Sequence, residues 1–224
     1  MDPCHHRSLG QALLIFTETV VGHNDPVTHD PTRALDLERT VYFSDAVIAI
    51  ALTLLALELP VPHNWHELPS HGGSYISFLI SFAVISTFWF RHHQLFQKLE
   101  RVDARVTLLN LLSLFAIVVV PFATKALPES DPKSSFGPVI YASTMVLWAI
   151  AYVLMVLAAN RAHLWHHHVA PATPRNMIFG ACAALGIFAV SIPIAFASPG
   201  IAQLTWLLIP FVATIAGRLR RRFG

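Results

Sequence analysis

The sequence predicts an all-α membrane protein with six transmembrane helices, on three observations. Of its 224 residues, 54% are hydrophobic and 12% are charged, with a mean hydropathy of +0.56. A soluble domain usually carries about 25% charged residues. Six apolar stretches approach or exceed the ~20 helical residues that cross a ~30 Å hydrocarbon core. The basic residues gather in alternate connections, as the positive-inside rule requires of a polytopic chain.

Residues 1–35 are polar and mixed and read as a cytosolic N-terminal tail. The apolar patch Ala12–Phe16 within them is too short to span a bilayer. Residues 36–217 form the six-helix domain. The first span covers about 37–60 and stops at Pro60-Val-Pro62. The second, about 72–97, opens at Gly72-Gly73, and the third is about 104–127. The fourth is about 136–160 and the fifth about 175–197. Ser198-Pro199-Gly200 makes the turn into a sixth at about 201–217. A basic cytosolic tail, 218–224, closes the chain with four arginines.

Arg91, Lys98, Arg101 and Arg105 surround the connection after span two, and Arg161 and Arg175 the one after span four. The connection 61–71 and the turn 197–200 carry no Lys or Arg. Both termini are therefore expected in the cytosol, with the protein multi-pass in the cell membrane. A net charge of 15 − 13 = +2 gives no reason to expect a nucleic-acid partner. Cys4 and Cys182 offer neither a disulfide framework nor metal-ligand spacing. No cleavable signal is expected, and no metal or cofactor.

The first span is the informative one, because it carries Arg39, Ser44 and Asp45 at its beginning. Ionisable groups in such a segment are costly and call for a partner. At ~100° per residue, Phe43, Ile50, Leu54 and Leu57 share a stripe, with Thr53 at its edge and Asp45 about 140° away. The spacing of Ile50, Leu54 and Leu57 alone suits ordinary helix packing as well as a pore lining. Ser44, Trp89, His92, His93 and Asn110 are the polar residues at matching depth that could hold Asp45. Ala46, Ala49 and Ala56 would allow close helix approach there.

Arg39-x-x-x-Phe43-Ser44-Asp45, followed by Ala46, Ala49, Ile50, Thr53, Leu54 and Leu55, resembles a family hallmark. It is the first-helix signature of the potassium channels of bacterial membranes and of animal endosomes and lysosomes. Trp89-x-x-His92-His93 and Pro121-Phe122 look like the same family in spans two and three. The resemblance implies a cation channel with potassium as the permeant ion. It also implies a homotetramer in which the first helix of each subunit lines the pore. Carried over, Ile50 forms the narrowest ring, Thr53 the polar ring linked to selectivity, and Leu54 and Leu57 the outward lining. Arg39, Phe43, Ser44, Asp45, Trp89, His92, His93 and Asn110 form the structural signature and its hydrogen-bond network. The expected partners are the lipid bilayer, potassium ions and further copies of the chain. The chain has no Thr-Val-Gly-Tyr-Gly filter and no arginine-rich span.

Two other classes compete. A cation- or proton-coupled transporter could use Asp45 as its carrier site. Such carriers have helices interrupted by Gly or Pro in two matching halves, and span one has no break. His163-Leu-Trp-His-His-His168 has the His-x-x-His-His spacing of a membrane di-iron enzyme. That chemistry needs several such boxes, and the adjacent pair His92-His93 lacks the partner spacing. The expectation is a channel, not an enzyme.

Overall fold

The first helix begins earlier than its apolar run. In the computed structural model, which describes residues 31–129 and 133–209, α1 is Pro31–Leu57. Proline suits the first helical position, where its missing N–H costs nothing. The start therefore falls inside the stretch expected to be tail. Leu57 ends the helix because Pro60 disfavours helical geometry at the residue before it. A 3₁₀ turn, Leu68–His71, leads into α2, Gly72–Phe96.

The helix α3, Ala104–Glu129, starts on Asp103, whose Oδ1 accepts the backbone N–H of Val106 at 2.8 Å. It runs through Pro121, as membrane helices can when neighbours cover the disrupted turn. Then come α4, Phe136–Arg161, and α5, Thr173–Ala197. Ser198 is extended, and the short α6, Pro199–Thr205, follows it. Among the described residues, five helices are long and apolar enough to cross a membrane. Only the start of the expected sixth span is described. Its remainder, the tail before Pro31 and the basic tail 218–224 lie outside the described residues.

The core is centred on α4, which packs chiefly against α3 and α5. Its inward face stacks aromatic rings: Trp148 lies 3.7 Å from Phe88 of α2, centroid to centroid, and 5.2 Å from Tyr152. Tyr141 stacks on Trp206 at 4.9 Å, and Trp206 Nε1 donates to Ser191 Oγ at 3.0 Å. These rings also supply dispersion contacts, which count for more here because lipid offers apolar faces no hydrophobic drive to associate.

The connections after α2 and α4 are tied to each other. Glu100 N–H donates to Leu164 O at 2.9 Å, and His166 N–H to Lys98 O at 3.0 Å. This pairing puts both connections, each flanked by arginines, at one end of the bundle. It also uses the histidine-rich loop as backbone structure, with His163 at a φ of 51°.

Candidate functional site: the first helix and its anchors

Among the described side chains of α1, one stripe is fully covered. Ser44, Ile48, Ala51 and Leu55 are buried, and at ~100° per residue they lie within a sector of about 60°. Phe43, Ile50 and Leu57 are 54%, 58% and 78% exposed within the subunit. Leu54, nearer the covered side, is 38% exposed. Thr53 is exposed on the far edge, and its Oγ1 donates to Ile50 O at 2.8 Å. That bond uses the only hydroxyl proton, so Thr53 presents oxygen lone pairs outward.

Ser44 anchors the covered stripe through a directional chain of bonds. Its hydroxyl donates to Thr40 O at 2.7 Å, so its oxygen accepts Asn110 Nδ2 at 2.9 Å. The amide orientation follows, and Asn110 Oδ1 then accepts His92 Nε2 at 2.9 Å. Ser44, Asn110 and His92 are all buried, so α1, α3 and α2 are joined in one dry cluster. The His92 ring stacks on Phe96, and Nδ1 finds no hydrogen-bond partner.

Asp45 stands about 100° round the helix from Ser44 and so meets a different neighbour. Trp89 Nε1 donates to its Oδ1 at 2.9 Å. His93 stacks on Trp89 at 5.1 Å and shares a 2.8 Å hydrogen bond with Gln97. The single polar set expected around Asp45 is therefore two sets. His92 and Asn110 serve Ser44, while Trp89 serves Asp45 with His93 behind it. Arg39 and Phe43 belong to neither. Arg39 is exposed with no bond or ion pair to a described residue, and Phe43 lies on the bare stripe.

The sequence reading missed anchors nearer the other end of the helices. Glu58, just past α1, pairs with Lys125 of α3 at 2.7 Å, and Tyr75 Oη donates to Pro60 O at 3.2 Å. Thr124 Oγ1 donates to Ser81 Oγ at 2.8 Å, and Ser81 meets Tyr141 Oη at 3.2 Å. Hydroxyls within apolar spans were the available signal.

Fold and site together define a multi-pass helical membrane protein whose first helix is fixed along one stripe and bare along another. The family model described as the endosomal/lysosomal potassium channel TMEM175 matches residues 39–121. A potassium channel of Streptomyces collinus is 36% identical over 171 residues, 71% of this chain and 82% of that one. The human endosomal/lysosomal proton channel TMEM175 is 28% identical over 170 residues, of which this chain spans 34% of its length. The crystal structure of a lysosomal potassium-selective channel TMEM175 homologue from Chamaesiphon minutus superposes with a TM-score of 0.65. It is 29% identical and covers 81% of this chain and 98% of that one. The chain belongs to the TMEM175 channel family, which is a family of ion channels and not of enzymes. Neither the transporter nor the di-iron class is supported.

Proposed function

We propose that this chain is the subunit of a potassium-preferring cation channel, assembled as a homotetramer in the cell membrane with both termini in the cytosol. The observation that carries this reading is the division of α1. One stripe is pinned to the subunit through Ser44, while Phe43, Ile50 and Leu57 face outward with no cover. A bare face on a helix otherwise tied at both ends suits contact with an axis shared by several copies.

Four copies of Ile50 would form a dry ring that resists hydrated ions. Thr53, next to it, would offer only acceptor oxygens toward the lumen, which suits a cation. Leu54 and Leu57 would continue the lining outward. Arg39, about 9 Å before Asp45 along the helix, would sit at the headgroups. Asp45 and Trp89 fix the helix rotation instead of binding the ion. Lys98 and Arg101 in the connection 97–103, with Arg161 and Arg175 flanking the connection 162–172 paired to it, favour placing that end of the bundle in the cytosol.

Purified protein in liposomes tests this directly. Potassium flux should exceed sodium flux down equal gradients. Equal fluxes, or none above empty liposomes, would remove the potassium channel from consideration.

A further inference from the structure

A cleft of about 390 Å³ opens between the N-terminal end of α3 and the C-terminal end of α4. Arg105 and Arg161 line it together with Leu108, Leu154, Leu157 and Ala158. Both arginines are exposed, and neither has a hydrogen bond or ion pair with a described residue. The one acid in the lining, Asp103, is engaged in capping α3 through Val106. Two guanidinium groups and one carboxylate leave a net charge of 2 − 1 = +1 in the lining.

We infer that this cleft holds an anionic phospholipid, with its phosphate between Arg105 and Arg161 and an acyl chain along the leucine wall. Spans 104–128 and 136–161 respectively begin and end here, so both arginines lie at headgroup level. Leu108 is three residues deeper than Arg105, ~4.5 Å, and Leu154 seven residues deeper than Arg161, ~10 Å. Charge at the surface with apolar walls below it matches a lipid from head to tail. Guanidinium forks bind phosphate oxygens in pairs, and basic pockets between membrane helices collect anionic headgroups. A free phosphate would use the arginines and leave the cleft empty. The site is independent of which ion the protein conducts.

Native mass spectrometry of the purified assembly, given phosphatidylglycerol and phosphatidylcholine of identical acyl chains, reads this out. Phosphatidylglycerol should be retained in preference. Retention should fall roughly fivefold for each arginine removed in Arg105→Gln and Arg161→Gln. Ala158→Phe, which keeps both charges and fills the wall, should also lose the lipid. Arg101→Gln, an exposed charge outside the cleft, should not. Equal retention of the two lipids would overturn the assignment, as would a wild-type-like double glutamine variant or a wild-type-like Ala158→Phe. A double variant that dissociates into fewer subunits would make the cleft a subunit contact and overturn it too.

Discussion

Asn110 has both ends of its side chain in use, linking α2 to α1 through α3. Replacing it by Leu keeps the volume close but strands His92 Nε2 and takes a donor from Ser44. Interhelical hydrogen bonds in membranes are worth about 0.6–2 kcal/mol each. Asn110→Leu should therefore lower the stability of the assembled protein by roughly 1–3 kcal/mol. A thermal melt in detergent measures this, and an unchanged midpoint would mean the cluster contributes nothing. Asp45 and Trp89 call for a double-mutant cycle. Asp45→Ala and Trp89→Phe should each weaken assembly, and together be less harmful than their sum, by about 0.5–3 kcal/mol of coupling. Strict additivity would mean the 2.9 Å contact carries no energy. Asp45 exchanges no hydrogen bond with His92 or Asn110 for a simple reason. Adjacent residues on a helix point about 100° apart and reach different neighbours.

At the scale of the element, α1 is a helix with two unlike faces. Leu55 is buried against the subunit, and Leu52 is half-covered and packs on the same core. Leu52→Ala therefore removes packing atoms from that core. Leu52→Ala and Leu55→Ala should both lower the melting temperature, Leu55→Ala by more, while leaving the potassium/sodium reversal potential unchanged. The Glu58–Lys125 pair is nearly half-exposed. Glu58→Gln should alter stability by less than about 1 kcal/mol. The stripe of Phe43, Ile50 and Leu57 was legible from helical period, but which face of α1 is buried was not, because apolar residues lie on both. Phe43, Ile50 and Leu57 fell on the expected stripe, and the ends of α2 through α5 lay within two residues of their expected positions. The start at Pro31 was hidden because the first turns are polar, and hydropathy reports lipid contact rather than helix formation. The Ser81–Thr124–Tyr141 cluster was hidden because its members are about 40 and 20 residues apart along helices whose mutual register no single sequence specifies.

For the whole molecule, the proposed lining of the pore by one helix per subunit calls for several chains around a shared axis. Native mass of the purified assembly should correspond to four subunits, and a stable conducting monomer would contradict this. The deepest claim is that the pore is lined by the face of α1 turned away from Ser44. Ile50 and Leu55 probe it from opposite sides of one helix, about 140° apart. Single-channel current and reversal potential for Ile50→Asn and Leu55→Ala, recorded side by side, provide the decisive measurement. Ile50→Asn should wet the ring, raise conductance and weaken discrimination between potassium and sodium, while Leu55→Ala leaves permeation as in the wild type. If Leu55→Ala changes permeation and Ile50→Asn does not, the pore is lined by another face or another helix.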